Sequence, residues 1–341
     1  MKILIIRLSS FGDVLLTGFL IRNIRQSMPE AELYFLTKKS MLPLVEFNPN
    51  LTKVFTYETE KSKRKVLISE IKKLELDWVL DLQSNLRSIP FRSLAKNYSS
   101  FRKNRLKRFG YVHFKTPFNQ LPVPLRYFET AKQLNISDDQ SGIDCFIPVT
   151  IENRMQTMFR NWQNQSVSPV FFIAAGAKHF TKRYPSDYYV QIIQSILLDF
   201  PDAGFILLGG QDEMETAAEI KKPFLSNSRI WNASGAFSLL ESSALLKQCT
   251  AGFTNDSFLM HTAAALQIPV VSFFGSTTPQ LGFAPFRAPS LIIEDKNLSC
   301  RPCTHIGRNS CPKKHFQCMM NLEPSRVYPK ILTFLKEQRI G

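Results

Sequence analysis

The chain has 341 residues, of which 44% are hydrophobic and 21% are charged, a balance typical of a globular protein. No apolar run reaches the roughly 18–20 residues that a membrane-spanning helix needs, and the apolar block at residues 1–7 is too short for a secretory signal peptide. We therefore expect a cytoplasmic protein with two domains of ordinary size.

The net charge of +15 is unevenly distributed, since residues 61–115 hold 15 Lys and Arg against 4 Asp and Glu. A basic surface favours an anionic partner such as nucleic acid, acidic lipid or a phosphorylated substrate. Nucleic acid is the weakest of these, because the chain carries no helix-turn-helix, zinc-finger or RNA-binding signature. Solvated helix faces are the alternative interpretation of the same charges.

Strand and helix patterns alternate from the start of the chain. Residues 2–8 predict a buried strand, residues 9–13 a tight turn, and residues 14–25 a helix with apolar side chains at helical spacing. Asp13 therefore lies in the first turn of this helix, at the carboxyl edge of the predicted sheet, where open α/β sheets bind ligands. It either favours the helix dipole alone or acts as a base aimed into a cleft.

The rest of the first half continues the alternation, which predicts βαβ units and a parallel sheet. The helix 61–74 begins with four cations that we consider candidates for binding acceptor phosphates or carboxylates, with solvated surface as the alternative: Lys61, Lys63, Arg64 and Lys65. Further strands are predicted at 32–37, 51–57, 77–82 and 109–112, and further helices at 40–46, 85–97 and 124–134. The change of domain is expected near residues 150–168.

The second half restarts the same pattern, with strands near 170–175, 204–208, 249–253 and 268–274 and helices between them. Loops at the carboxyl ends of these strands should line one edge of a second parallel sheet. Lys182 there supplies a cation for a phosphate, and Glu213 can accept hydrogen bonds from ribose hydroxyls. The convergence of several such loops indicates a nucleotide site.

The segment 254–261 connects one of these strands to a helix. Asp256 and Ser257 stand at the helix N-terminus, where free N–H groups and the macrodipole favour an anion, and Ser257 can cap the helix. His261 follows one turn later on the same face. The pattern predicts a phosphate site, and an ordinary helix cap with a satisfied histidine is the alternative.

Four of the six cysteines form a cluster in sequence that also contains two histidines. In a cytosolic protein such a cluster favours a metal over disulfides, and four thiolates would hold Zn²⁺ or iron tetrahedrally as a structural site. Reduced structural thiols are the alternative. The cysteines are Cys300, Cys303, Cys311 and Cys318.

Several of these segments together resemble glycosyltransferase family 9, the lipopolysaccharide heptosyltransferases. The matching segments are residues 5–17, Ala175–Ala177 with Lys182–Pro185, Gly209-Gly210-x2-Glu213, and Asn255–Ser257 with Met260-His261 and Ala263–Ala265. Phe274-Gly275 and the cysteine segment resemble the second-heptose branch of the family. The similarity covers most of the chain, and it departs from the family at Phe258 and Phe19, where Gly and Pro are usual.

This resemblance implies an α/β fold of the GT-B type, with two Rossmann-like parallel-sheet domains facing a cleft. Residues 1–160 would form an acceptor-binding domain and residues 165–325 a nucleotide-sugar-binding domain. Residues 326–341 would form a C-terminal helix that packs back on the first domain.

The resemblance also implies transfer of a heptose from ADP-L-glycero-D-manno-heptose to the lipopolysaccharide inner core, with inversion and with Asp13 as general base. No cofactor is required in that scheme, since protein cations replace Mg²⁺. The acceptor would be lipopolysaccharide or lipid A–Kdo, reached by peripheral contact with the inner face of the inner membrane. The donor would be bound by Ser10, Thr181, Lys182, Glu213, Phe237, Asp256, Ser257, Phe258 and His261.

Two other functions compete with this one. One alternative is a family member that uses another nucleotide sugar or a protein acceptor. The other is a non-catalytic binding protein of the same fold. A carboxylate at Asp13 speaks against the non-catalytic alternative.

Overall fold

The computed structural model describes residues 1–163 and 167–340, and the chain divides into two compact units. The first unit holds residues 1–105 and 121–146, and the second holds residues 106–120 and those from 147 onward. The predicted start of the second domain at residue 165 lies outside the described residues. The linear pattern does not indicate that the short segment 106–120 belongs to the second unit.

Strands and helices alternate through most of the first half of the chain. They are β1 (Lys2–Ile6), α1 (Phe11–Leu15), α2 (Gly18–Ser27), β2 (Glu32–Lys38), β3 (Lys53–Tyr57), α3 (Lys61–Lys72), β4 (Leu76–Asp81), β5 (Ala95–Ser100), α4 (Arg105–Phe114) and α5 (Val123–Thr130), with 3₁₀ turns at Lys39–Leu44, Ile89–Leu94 and Lys132–Leu134.

The elements of the second half follow the same alternation. They are α6 (Val149–Gln163), β6 (Val170–Ala174), α7 (Ser186–Asp199), β7 (Gly204–Leu207), α8 (Met214–Lys221), β8 (Ile230–Asn232), α9 (Leu239–Leu246), β9 (Ala251–Asn255), α10 (Phe258–Ala265), β10 (Val270–Phe274), β11 (Ser290–Glu294), α11 (Gln317–Met320) and α12 (Pro324–Glu337), with 3₁₀ turns at Phe180–Lys182, Gln211–Glu213, Lys222–Phe224 and Pro279–Leu281.

The sheet of the first unit has the strand order β3-β2-β1-β4-β5, and its neighbouring strands are parallel. Leu4 and Ile6 of the central strand β1 pack in one cluster with Leu67 of α3. Ile3 and Ile5 alternate to the other face and are also fully buried. Because both faces are covered, the strand is a continuous hydrophobic run, as parallel sheets require.

The sheet of the second unit has the order β11-β10-β9-β6-β7-β8, again with parallel neighbours. Phe171 and Ile173 of β6 belong to the core on one face, and Phe172 and Ala174 belong to the core on the other. The order reverses between β6 and β9, which is the point where doubly wound sheets bind ligands. The predicted α/β class with two Rossmann-like parallel sheets is confirmed.

Two predicted elements of the first half are wrong. Aromatic and β-branched residues at 109–112 favour a strand, but these residues lie inside α4, where Val112 is buried in the second unit. The helix predicted at 85–97 is also absent from the structure. Those residues form a short 3₁₀ turn with Pro90 in its first turn, and β5 begins at Ala95.

The C-terminal helix α12 packs against elements of the second unit, and its expected contact with the first domain stays a prediction. Its buried residues Val327, Ile331, Phe334 and Leu335 follow the i, i+4, i+7, i+8 spacing of a helix with one apolar stripe. They share a core cluster with Ile192 and other residues of α7. None of the described helices is long and apolar enough to cross a bilayer.

We expect Ile331→Ala to destabilise the second unit by about 2–5 kcal/mol, because it leaves a cavity under α12. The measurement is urea unfolding followed by fluorescence in a Trp78→Phe background, so that the signal comes from Trp162 and Trp231 of the second unit. The neighbouring exposed Lys330→Ala is the matched control and should change stability by less than about 0.5 kcal/mol. Equal unfolding midpoints for the two variants would show that α12 is not part of this core.

Candidate active site

Asp13 lies in the first turn of α1, directly beyond the carboxyl end of β1. Its Oδ2 atom accepts hydrogen bonds from the Ser10 Oγ at 2.8 Å and the Ser10 backbone N–H at 3.2 Å. The same oxygen forms an ion pair with Arg7 Nη2 at 2.8 Å. Ser10, predicted as a donor-binding residue, therefore contacts the candidate base directly and fixes its orientation.

Opposing effects act on the pKa of Asp13. Burial alone would raise it, but the Arg7 guanidinium and the hydrogen bonds from Ser10 outweigh the desolvation and hold the pKa below its usual value. The Asp13 side chain is nevertheless 17% exposed. The site therefore presents an ionised carboxylate that is accessible to solvent.

Tyr127 and Arg7 complete the surroundings of this carboxylate, and neither was predicted from the sequence. The Tyr127 hydroxyl donates to Asp13 Oδ1 at 3.3 Å, and burial raises the pKa of this tyrosine so that it stays protonated. Arg7 also donates to the carbonyl of Leu82 at 2.7 Å, which ties it to the end of β4. The sequence signal that could have indicated Arg7 is a cation placed directly after a buried apolar strand.

A second carboxylate, Asp81, is fully buried at the end of β4, beside the end of β1. It accepts hydrogen bonds from the backbone N–H groups of Gln83 and Ser84 at 3.0 and 2.7 Å, and it pairs with Arg92 at 3.2 Å. Gln83 in turn accepts from the backbone N–H of Leu8 at 2.9 Å. This network fixes the turn after β4 against the loop that leads to Asp13.

In the second unit, Asn255 at the end of β9 joins the loop after β6. Its side-chain amide donates to the carbonyl of Ala175 at 2.6 Å and accepts from the backbone N–H of Tyr184 at 2.9 Å. The Tyr189 hydroxyl also donates to it, at 3.2 Å. Asn255 is fully buried. It therefore sets the path of the loop that carries Lys182.

Asp256 contacts residues from two other loops at the carboxyl edge of the second sheet. Its Oδ2 pairs with Lys182 Nζ at 2.8 Å and accepts from the Thr277 hydroxyl at 2.7 Å. The exposed fractions of the Lys182 and Asp256 side chains are 15% and 9%. The structure thus brings together the predicted cation and the predicted carboxylate, and it adds Thr277, which the sequence analysis did not single out.

Glu213 lies at the same edge, beyond β7. Its Oε2 accepts from the backbone N–H of Gly210 at 2.6 Å. The side chain passes so close to Gly176 that a Cβ on that glycine would lie 2.0 Å from Glu213 Cγ. A side chain at position 176 would therefore displace Glu213, which explains the glycine.

Helix α10 begins at Phe258, with Ser257 as its N-cap residue. The Ser257 hydroxyl does not cap the helix as expected but is 3.1 Å from the hydroxyl of Thr254. His261, one turn into the helix, is buried and has the ring of Phe283 at 6.4 Å. The N-terminus of α10 carries the positive end of the helix dipole, which suits an anion.

Two further residues that were predicted to bind the donor nucleotide, Thr181 and Phe237, contact other residues of the second unit. The Thr181 hydroxyl lies 2.9 Å from the Ser276 hydroxyl and accepts from the backbone N–H of Arg308 at 2.8 Å. Phe237 is half-buried and packs edge-on against Trp231 at 5.8 Å. Both residues therefore fix loops of this edge through contacts within the unit.

The four predicted acceptor cations lie in the first turns of α3, in the first unit. Lys61 and Lys65 are exposed, and Lys63 pairs with Glu60 at 3.0 Å. Arg64 donates to the carbonyl of Thr59 at 3.1 Å. The cluster offers an exposed basic surface, as a solvated helix face also would.

The structure gives no support to the metal site predicted for the cysteine segment. Among residues 1–163 and 167–340, no three His, Cys, Asp or Glu side chains are arranged to hold a metal ion. Burial raises the pKa of Cys303 and raises that of Cys318 to about 12, and the neighbouring cysteine thiols act in the same direction. The segment contacts the loop after β10, since the Cys303 N–H donates to the Ser276 carbonyl at 3.2 Å.

Comparison with known proteins places these features in a family. Residues 64–314 match the family described as glycosyltransferase family 9 (heptosyltransferase). The chain belongs to glycosyltransferase family 9. It is accordingly a glycosyltransferase, and its two Rossmann-like sheets are those of the GT-B fold.

Individual members of this family are similar over the full length. Lipopolysaccharide heptosyltransferase 2 of Salmonella typhimurium is 23% identical to this chain, and the alignment covers 100% of both sequences. The solved family 9 glycosyl transferase of Veillonella parvula has a TM-score of 0.78 at 17% identity, covering 98% of this chain and 97% of that one. E. coli ADP-heptose lps heptosyltransferase II has a TM-score of 0.76 at 20% identity, covering 99% and 100%. These structures show the shared fold.

We expect Arg7→Met to raise the pKa of Asp13, because the substitution removes the cation that favours the ionised form. In the wild type this pKa lies below the unfolded value. The ion pair therefore stabilises the fold above the unfolded pKa, and this contribution is lost as pH falls through the folded pKa. The measurement is a carbon NMR titration of the Asp13 carboxyl in both proteins.

The exposed Lys39→Met removes one positive charge elsewhere in the first unit and serves as the control. Its Asp13 titration should match that of the wild type. An Asp13 titration that is unchanged in Arg7→Met would show that the ion pair does not set the charge of this group.

Proposed function

We propose that this glycosyltransferase moves a heptose from ADP-L-glycero-D-manno-heptose to the inner core of lipopolysaccharide, with inversion at the anomeric carbon. The observation that carries the proposal is the ionised carboxylate of Asp13, held at the end of β1 by Arg7 and Ser10. The carboxyl edge of the second sheet, with Lys182 and the N-terminus of α10, would bind the anionic donor. Membership of a heptosyltransferase family and the names of the relatives support this choice of sugar, donor and acceptor.

The donor diphosphate would bind at Lys182 and at the N-terminus of α10, where the helix dipole favours an anion. Asp256 is an unsuitable direct partner for a phosphate, because two anions repel each other. We therefore assign it to holding Lys182 and Thr277, which it contacts at 2.8 and 2.7 Å. Glu213 uses Oε2 for Gly210, and its Oε1 would accept from the ribose hydroxyls.

The chemical step requires a proton acceptor and a stabilised leaving group. Oδ2 of Asp13 already receives three contacts, whereas among the described residues Oδ1 receives the single longer bond from Tyr127. Oδ1 would accept the proton from the acceptor hydroxyl as the new C–O bond forms and the bond to ADP breaks. Lys182 would stabilise the charge that develops on the departing diphosphate.

The acceptor would be an anionic lipid A–Kdo or lipopolysaccharide core. The basic start of α3, with Lys61 and Lys65 exposed, suits its phosphates or carboxylates. An acceptor of this kind would be met at the cytoplasmic face of the inner membrane, by peripheral contact.

We expect Asp13→Asn to lower the rate of heptose transfer at least about 100-fold, because an amide oxygen cannot take the proton. ADP release from ADP-heptose in the presence of lipid A–Kdo is the measurement, and ADP affinity by calorimetry should be unchanged. Asp202→Asn is the matched control, since this exposed residue precedes β7 at the opposite end of its strand. Full activity of Asp13→Asn would overturn the assignment of the base.

We expect Lys182→Met to weaken ADP binding about tenfold or more, because it removes the cation that Asp256 holds at this edge. Calorimetry with ADP measures the effect. Lys222→Met, an exposed lysine after α8, controls for the change in net charge. If both variants bound ADP as the wild type does, the diphosphate site would lie elsewhere.

A further inference from the structure

The outward face of α4 exposes large apolar side chains. Leu106 is 88% exposed, Phe114 is 72% exposed and Phe109 is 54% exposed. Leu106, Phe109 and His113 follow at i, i+3 and i+7 and so share one face of the helix. Single exposed apolar residues are common on proteins, but three within nine residues of one helix need an explanation.

These residues form one contiguous surface. The Phe109 ring lies 4.3 Å from the His113 ring and meets the Phe114 ring edge-on at 5.9 Å. We name Leu106, Phe109, His113 and Phe114 the α4 patch. Because its rings contact each other, the patch presents a continuous apolar area.

The opposite side of α4 is anchored to the second unit. Val112 is buried, and the Tyr111 hydroxyl lies 2.8 Å from that of Thr278. Lys115, directly after the helix, donates to the carbonyls of Cys300 and Pro302 at 3.1 and 2.6 Å. The helix is therefore held in one orientation, and its exposed face is a fixed feature of the unit.

Positive charge lies beside the patch on the same helix. Arg105 and Lys107 are exposed in the first turn of α4. The neighbouring loop at His305 is also close, because the charges of Arg108 and His113 join burial in lowering the pKa of that histidine. Ile306 in this loop is 55% exposed.

We propose that the α4 patch docks the second unit on an anionic lipid bilayer, with Phe109 and Phe114 inserted at the headgroup level and Arg105 and Lys107 over the lipid phosphates. A helix with Phe and Leu on one face and Lys and Arg beside it lies in the plane of the membrane interface. A second copy of this chain fits less well, because the same cations would then face each other across the contact. The inference rests on the proposed function for its purpose, since a lipid acceptor is reached only from a membrane.

The test is co-sedimentation of the full chain with two kinds of vesicle, phosphatidylcholine alone and phosphatidylcholine mixed equally with phosphatidylglycerol. We expect binding to the mixed vesicles to be at least about tenfold tighter and to weaken as salt is raised. Leu106→Gln with Phe114→Gln should weaken this binding about tenfold, and Arg105→Gln with Lys107→Gln should weaken it about tenfold and reduce its salt dependence.

Matched control variants change the same residue types away from the patch. Leu198→Gln with Leu225→Gln alters two leucines that are 83% and 75% exposed, and Lys330→Gln with Lys336→Gln removes two exposed charges of α12. Both should bind vesicles nearly as the wild type does. Equal loss in patch and control variants, or a concentration-dependent dimer that the patch variants abolish, would overturn the proposal.

Transfer assays separate this inference from the proposed function. We expect the patch variants to keep wild-type activity on a deacylated, water-soluble acceptor and to lose about tenfold on the same core embedded in vesicles. Absence of transfer to either acceptor by the wild type would defeat the proposed function while leaving vesicle binding as a separate result. Equal activity of wild type and patch variants on the embedded acceptor would defeat the docking proposal alone.

Discussion

The buried polar pair at the end of β9, Asn255 and Asp256, is the constraint on which the second unit's candidate site depends. A buried amide and a nearly buried carboxylate must both be hydrogen-bonded, because an unsatisfied polar group in the interior costs about 1–3 kcal/mol or more. Asn255 meets this requirement with the backbone on either side of the loop after β6. Asp256 meets it with Lys182 and Thr277. The need to satisfy two side chains thereby fixes three loops around one strand end.

The first unit uses the same arrangement for a different purpose. Asp13, like Asp256, follows a parallel strand and pairs with a cation, here Arg7 at 2.8 Å. The difference lies in what each carboxylate leaves available. Asp256 is enclosed, with 9% of its side chain exposed, whereas Asp13 is 17% exposed and keeps acceptor capacity on Oδ1. One carboxylate is suited to holding a neighbour in place and the other to receiving a proton.

Much of the fold could be predicted from the sequence, because buried parallel strands are continuous apolar runs between helical patterns. The position of Asp13 followed from the same local pattern, since a turn after the first strand places it at the carboxyl edge. Features that depend on contacts distant in sequence could not be found this way. Tyr127 reaches Asp13 across 114 positions, and Thr181 meets the backbone of Arg308 across 127.

The wrong predictions have the same cause. Residues 109–112 have the composition of a strand, yet they lie in helix α4, where Val112 is buried. The metal predicted from the cysteine spacing, by contrast, is not wrong but without support among the described residues, where Cys318 is buried in the core of the second unit. Local pattern predicts which element forms more reliably than it predicts what that element packs against.

The pairing of Asp13 with Arg7 has a chemical cost that the proposed reaction can tolerate. A carboxylate whose pKa is held low is a weak base, so it contributes less driving force to proton transfer. Glycosyl transfer nevertheless passes through an oxocarbenium-like transition state, in which the bond to the leaving group is largely broken before the acceptor oxygen needs to lose its proton. The demand on the base is then mainly that it be ionised and correctly oriented, and Arg7, Ser10 and Tyr127 together meet that demand. In the proposed reaction the larger part of the barrier falls to stabilisation of the departing diphosphate, which we assign to Lys182 and the N-terminus of α10.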